Sequence, residues 1–166
     1  TAKPVLYACN VADTGSENPL VATVAAMAAA EGARAIAICA SLEAEVAALT
    51  DPAERAEFLA AHGWKEPGLS QVLRAGYRLL NLITFFTAGP KESRAWTVRR
   101  GARAPEAAGA IHTDFERGFI RAETIGFEDF IACRGETGAR DAGKLRVEGR
   151  DYVVRDGDVM LFRFNA

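Results

Sequence analysis

The chain is poor in the residues that build metal centres and disulfide frameworks. Its 166 residues hold 3 cysteines, 2 histidines, 2 methionines and 2 tryptophans. Cys9, Cys39 and Cys133 are odd in number, form no CxxC pair and have no histidine at ligand spacing. Neither a disulfide scaffold nor a zinc site is expected, and a reducing cytoplasm suits three free thiols. Long apolar runs are lacking too. The most apolar stretch, Leu20 to Ala30, is about half of what a bilayer-spanning helix needs and is mostly alanine, so no membrane segment is expected. No GxxxxGK[ST] loop occurs to cradle phosphates, no acid follows a strand as a magnesium ligand, and no switch segment is legible. Thr1-Ala2-Lys3-Pro4 has neither an initiator methionine nor the apolar core of a secretory signal, which reads as the start of a piece of a longer chain. A strong charge of one sign is absent as well. The net charge is −2, with 6 Lys/Arg against 9 Asp/Glu in residues 1–82 and 14 against 13 in 83–166. A non-specific nucleic-acid clamp needs many uncompensated cations, so any RNA contact must come from a local patch.

What is present is the composition of a folded protein, 49% hydrophobic and 25% charged, so disorder does not dominate. Val5-Leu6-Tyr7-Ala8-Cys9 is a short apolar run stopped by a polar loop, Asn10 to Asn18. An alanine-rich helical stretch follows from Pro19 to Glu31 and closes at Gly32. Ala35 to Cys39 is a second apolar run of strand length. The order predicts a βαβ crossover whose parallel strands are buried on both faces. Helices are predicted from Leu42 to Leu49, from the Asp51-Pro52 start to Gly63, and from Glu66-Pro67-Gly68 onward, with Leu69, Val72, Leu73, Tyr77, Leu79 and Leu80 facing neighbouring structure.

From Ile83 the pattern changes to one of α+β type. Ile83–Phe86 and Ala95–Val98 flank a Gly89-Pro90 turn and predict a β-hairpin. A short helix over Ala104–Ile111, a strand over Phe119–Ile125, two strand-like runs around Glu148-Gly149-Arg150, and a closing strand over Val159–Phe164 complete an α+β module wrapped around one helix. The boundary is expected near Leu82.

The run Leu82-Ile83-Thr84-Phe85-Phe86-Thr87-Ala88-Gly89-Pro90-Lys91-Glu92, then Arg94-Ala95-Trp96-Thr97, closely resembles the opening of the TGS domain in the YchF/Obg-like ATPases. The block Gly109-Ala-Ile-His-Thr-Asp-Phe-Glu-Arg-Gly-Phe-Ile-Arg121 stands intact, and Asp156-Gly157-Asp158-Val159 leads the same closing strand. Upstream, Cys39-Ala40-Ser41-Leu42-Glu43-Ala44-Glu45 and Glu66-Pro67-Gly68-Leu69 occupy the places that family would give them, and the resemblance spans nearly everything from Lys3 to Ala166. It implies residues 1–82 as the C-terminal edge of a P-loop nucleotide-binding domain (α/β) and residues 83–166 as a β-grasp, ubiquitin-like TGS domain (α+β). ATP or GTP with Mg2+ would serve a longer parent, with none bound to this piece and no hydrolysis by it alone.

In that superfamily an Asn-Lys-x-Asp motif follows the fifth sheet strand, and the YchF branch is similar but written Asn-x-x-Glu. The matching residues are Asn10-Val11-Ala12-Asp13. An Asn carboxamide suits a purine edge because it donates to N7 and can accept from an amino group. Val11 stands where a lysine would pack over the ring. Asp13, shorter than the family's Glu, is the residue type that pairs with guanine in ordinary GTPases. Cys39-Ala40-Ser41 matches the other base-contacting loop. Both loops leave the carboxyl ends of neighbouring parallel strands, where open α/β sheets bind ligands. By spacing alone, loop capping is the favoured reading of Asn10 and Asp13, and the resemblance turns it to base recognition.

The chain's only basic cluster is Arg94, Arg99, Arg100 and Arg103. With Trp96 available for stacking, it suits contact with RNA or a ribosomal partner, and equally a charged, blunted strand edge with the indole in the core. His112, Asp114 and Glu116 lie close in sequence, yet no nucleophile accompanies them, and His112 reads as a hydrogen-bonded structural residue. Beside the nucleotide-binding parent stand a pure interaction module and a small self-contained α/β enzyme, the latter disfavoured by the missing nucleophile, metal site and phosphate loop. A strand edge left uncovered at Val5–Cys9 is expected to favour self-association.

Overall fold

A computed structural model describes residues 3–12, 18–90 and 92–165. The chain divides into two compact units, Thr1–Leu80 and Asn81–Ala166.

In the first unit, β1 (Leu6–Asn10) and β2 (Arg34–Ile38) pair in parallel, in register from Leu6↔Arg34 to Asn10↔Ile38. The crossover helix α1 (Pro19–Ala30) starts where its sequence signals a start. The Leu20 N–H donates to Asn18 Oδ1 at 3.0 Å, and Pro19 sits in the first turn, where its missing donor costs nothing. Three more helices follow: α2 (Ala40–Ala48), α3 (Pro52–Ala61) and α4 (Gly68–Leu79). Asp51 caps α3 through the Ala53 N–H at 2.8 Å. α2 begins at Ala40 rather than at the expected Leu42, so the segment Cys39–Ser41 is a helix N-terminus rather than a free loop.

Two expectations need correction here. The strands are half-buried rather than enclosed on both faces, because a two-stranded sheet is too narrow to be covered twice. For the same reason the apolar stripe of α4 is only partly packed. Val72 and Leu79 are half-buried, whereas Leu69, Leu73, Tyr77 and Leu80 are 59%, 56%, 37% and 53% exposed. These four recur at helical spacing on one face.

The second unit is a five-stranded sheet in the order β4-β3-β7-β5-β6. Its strands are β3 (Leu82–Ala88), β4 (Ser93–Arg99), β5 (Phe119–Gly126), β6 (Arg146–Glu148) and β7 (Asp158–Phe164). The central pair β3 and β7 runs parallel and the remaining pairs are antiparallel. Across the inner face lies α5 (Ala104–Ile111), whose Ala104, Ala107 and Ala108 are fully buried against Ile83, Phe85, Val98, Phe119, Ala122, Met160 and Phe162. Alanine on the helix lets it approach closely enough for Phe85 and Phe162 to meet edge to face, with centroids 5.9 Å apart.

The 109–121 block has local physical reasons. His112 caps α6 (Thr113–Arg117) by accepting the Asp114 N–H on Nδ1 at 3.1 Å, the structural role expected for it. A Cβ on Gly118 would lie 1.9 Å from the Asn165 carbonyl oxygen, so only glycine fits there. In the Asp156-Gly157-Asp158 turn, Asp156 accepts the Thr84 N–H at 2.8 Å. The buried Asp158 accepts from the Tyr152 hydroxyl at 2.8 Å and the Arg155 N–H at 2.9 Å.

Two helices, α7 (Phe127–Ala132) and α8 (Glu136–Asp141), lie where none was expected. Of the two strand-like runs around Glu148-Gly149-Arg150, the first is β6. The second makes only an isolated bridge, Arg103↔Val153.

Burial, together with the bond to Asp158, pushes the Tyr152 hydroxyl up to about 12. A raised phenol favours the folded state while it stays protonated. Its contribution is whole below the ordinary value of 10.0 and is lost as pH rises toward 12. Denaturant midpoints measured from pH 9 to 12 are therefore expected to fall, and Tyr152→Phe to flatten that fall. Exposed leucines on one helix face also favour association of the 166-residue chain. Light scattering is expected to show self-association, and Leu73→Glu to reduce it.

Candidate functional site

β1 and β2 end side by side because they are in parallel register, so the segments leaving their carboxyl ends start as neighbours. Three hydrogen bonds then tie them. The Ala40 N–H donates to Asn10 Oδ1 at 3.1 Å, the Val11 N–H donates to the Ile38 carbonyl at 2.8 Å, and the Cys39 thiol reaches the Ala12 carbonyl at 3.3 Å. The Cys39 sulfur also lies 3.2 Å from Ser41 Oγ.

Each sequence-predicted residue thus has a place. Asn10 is the last residue of β1 and is exposed, Val11 is half-buried, and Ala40 and Ser41 are exposed in the first turn of α2. Cys39 is 1% exposed, so it holds the two segments together and is itself closed to a ligand. Asp13 lies outside the described residues.

The chemistry of the rim follows from what is already spent. Asn10 Oδ1 has taken the Ala40 N–H, which orients the carboxamide, and Nδ2 has no hydrogen-bond partner among the described residues. Backbone N–H groups in the first turn of a helix have no intrahelical acceptor, so the Ser41 N–H adds a donor beside the carboxamide, while its hydroxyl is turned to the Cys39 sulfur. The arrangement is a row of donors suited to ring nitrogens and carbonyl oxygens, next to the aliphatic side chain of Val11.

Glu43 is a residue that spacing alone did not reveal. Its carboxylate accepts the N–H of Gly68 at 2.5 Å and of Leu69 at 3.1 Å, capping α4 from within α2. Pro67, the residue at the cap position, offers no side-chain hydrogen bond. A Cβ on Gly68 would lie 2.9 Å from Glu43 Oε1, so glycine makes this approach open. The first turn of α2, with Ala40 and Ser41 in it, is thereby fixed from both ends. Nothing in the sequence signals a partner 25 residues away.

The basic cluster is less uniform than its sequence. The Arg94 guanidinium lies 5.1 Å over the Trp96 ring and 3.7 Å from Glu92. Trp96 is half-buried against the core and donates Nε1–H to Thr87 Oγ1 at 2.9 Å. Arg103 pairs with Asp151 at 2.9 Å. Arg99, at the end of β4, and Arg100, in the turn after it, are exposed, and no ion pair engages either among the described residues.

The family model YchF-GTPase_C, described as "Protein of unknown function (DUF933)", matches residues 82–165. That covers just over half of the chain. The chain belongs to the YchF family. It is 58% identical over 167 residues to the "Ribosome-binding ATPase YchF" of Escherichia coli O157:H7 and 59% identical to that of Haemophilus influenzae. Each match takes in all of this chain and 46% of the relative. The chain therefore spans about half the length of the curated YchF proteins it matches. In three dimensions it is similar to the Schizosaccharomyces pombe YchF GTPase, with a TM-score of 0.83 and 32% identity over 98% of this chain and 44% of that one. The mixed α/β architecture is that of a YchF GTPase. Among the described residues no helix is long and apolar enough to cross a membrane.

The tie between the two segments can be tested directly. Asn10→Ala removes the acceptor for Ala40, and is expected to speed amide exchange at Ala40 and cost about 1 kcal/mol of stability. Asn10→Asp keeps an oxygen there and is expected to retain protection of that amide.

Proposed function

We propose that this chain is the C-terminal part of a YchF-type nucleotide-binding ATPase or GTPase. In this reading, residues 1–82 are the base-recognition edge of a P-loop domain and residues 83–166 are a TGS module of β-grasp type that contacts ribosome or RNA. The observation that carries it is the 3.1 Å bond from the Ala40 N–H to Asn10 Oδ1, which makes one rim of two segments 30 residues apart. The order β4-β3-β7-β5-β6, with its parallel central pair crossed by one helix, supports the β-grasp assignment. The name carried by the bacterial relatives, ribosome-binding ATPase, supports the choice of partner and a cytoplasmic site of action.

On this reading the residues act as follows. Asn10 Nδ2–H donates to N7 of a purine. The Ser41 N–H faces the six-position of the ring, and Val11 lies against its flat face. Asp13, three residues after Asn10 in the sequence, takes the ring edge that carries N1. Arg99 and Arg100, without ion pairs among the described residues, are the cations for RNA phosphates, whereas Arg94, Trp96 and Arg103 serve mainly to build the structure around them. The triphosphate and Mg2+ supply the reaction's leaving group and charge neutralisation in the parent. The phosphate loop that would hold them is not in this sequence and would lie in the remainder of a longer parent. Alone, this chain binds a purine by its base and does not hydrolyse the nucleotide.

Calorimetry with adenosine, guanosine, cytidine and ATP tests the nucleotide half. Purine nucleosides are expected to bind with a Kd on the order of 1 mM, with no gain from the triphosphate, because the groups that grip phosphates are elsewhere. Equal binding of cytidine, or no loss in Asn10→Asp, which keeps the Ala40 bond but removes the donors, would refute the base-recognition role.

A further inference from the structure

Three arginines far apart in sequence, Arg121, Arg140 and Arg163, meet around one carboxylate on the outer face of the second unit's sheet. Glu123 accepts from Arg163 through both Nε and Nη2 at 3.2 Å. Arg140 and Arg121 stand 3.6 and 3.9 Å from the same carboxylate, beyond hydrogen-bond range. Arg140 donates instead to Glu136 at 2.7 Å. Arg121 makes no hydrogen bond among the described residues, so its donors are unspent. Each of the three guanidinium side chains is about half exposed, whereas that of Glu123 is 11% exposed.

This gathering opposes local stability. Arg121 and Arg163 are direct partners across β5 and β7, a position in which like charges repel. A β-bulge creates the contact. Phe119 is opposite Phe164 and Arg121 is opposite Arg163, so Ile120 is an extra residue on β5. Strict alternation from the buried Phe119 would turn Arg121 inward, and the inserted residue brings it to the face that carries Glu123 and Arg163. Within the cluster three guanidiniums stand against two carboxylates, Glu123 and Glu136. A fold that opposes two guanidiniums and leaves one without a hydrogen bond gives up stability that a bound anion restores.

We propose that Arg121, Arg140 and Arg163 form a binding site for a phosphate monoester. Such a group presents three oxygens and nearly two negative charges, which suits three planar forks better than the two oxygens and single charge of a carboxylate. The same chemistry is offered by a small phosphorylated molecule and by the 5′-phosphate of an RNA strand. The site stands apart from the contact proposed for Arg99 and Arg100 and does not rest on it.

NMR of the arginine Nε–Hε signals in the 166-residue chain, at constant ionic strength, tests this. The probes are inorganic phosphate, acetate, and an eight-nucleotide RNA carrying either a 5′-phosphate or a 5′-hydroxyl. Phosphate is expected to move the Arg121 and Arg163 signals saturably, with a Kd on the order of 1 mM, and acetate at the same concentration to leave them in place. Arg121→Gln is expected to weaken phosphate binding about tenfold. Because it also removes a like charge opposite Arg163, its denaturation midpoint in phosphate-free buffer is expected to hold or rise. A fall would make Arg121 a structural residue and overturn the proposal. Tighter binding of the 5′-phosphate RNA than of the 5′-hydroxyl RNA supports the site and identifies an RNA end as the source, and a response to inorganic phosphate alone supports it with a small ligand. Equal binding of the two RNAs at these arginines, an equal response to acetate, no response to phosphate, or unchanged phosphate binding by Arg121→Gln would overturn it.

Discussion

The hydrogen bond from the Ala40 N–H to Asn10 Oδ1 is the interaction on which the proposed base-recognition role of the first unit turns. Parallel pairing brings the ends of β1 and β2 together, but strand pairing alone leaves the departing segments free to diverge. One carboxamide oxygen closes that gap and in doing so fixes its own amino group outward. The buried Cys39 thiol and the Glu43 carboxylate hold the same segment from its other sides. Asn10 is therefore first a structural residue, and the donors that the proposed reading gives it follow from the bond its oxygen has already made. The same logic separates the arginines of the second unit. Arg94 and Arg103 have ionic partners, and Arg99 and Arg100 have none among the described residues, which is why the proposed RNA contact falls on the latter two.

The two units differ in how completely they bury what they carry. The second has a continuous core in which alanines on α5 let large side chains from four strands close over one helix. Its buried acid, Asp158, is satisfied by the Tyr152 hydroxyl and the Arg155 N–H, so a polar group inside the fold adds order rather than strain. The first unit has only two strands, and four apolar side chains of α4 stay exposed.

Much of this was legible in the residues. The apolar runs at Leu6–Cys9 and Ala35–Ile38, the caps Asn18-Pro19 and Asp51-Pro52, and the switch to alternating pattern after Ile83 point to the elements that form. The resemblance picked out Asn10 and Ser41, and parallel pairing explains why they lie together. What stayed hidden is long-range or very short. The Glu43–Gly68 bond links residues whose spacing carries no periodic signal. Helices of six residues, as in α7 and α8, complete fewer than two turns and leave no stripe to detect. The burial of Trp96 depends on its register opposite Phe85, which composition does not disclose.

The central claim is that the rim formed by Asn10 and Ala40 meets the N7 edge of a purine ring. Nuclear Overhauser effects between the H8 proton of adenosine, which neighbours N7, and the protons of this chain measure that contact most directly. The account predicts cross-peaks from H8 to the Asn10 side-chain amide protons and to the backbone amide of Ser41. Cross-peaks confined to other parts of the chain, or none at saturating nucleoside, would contradict it.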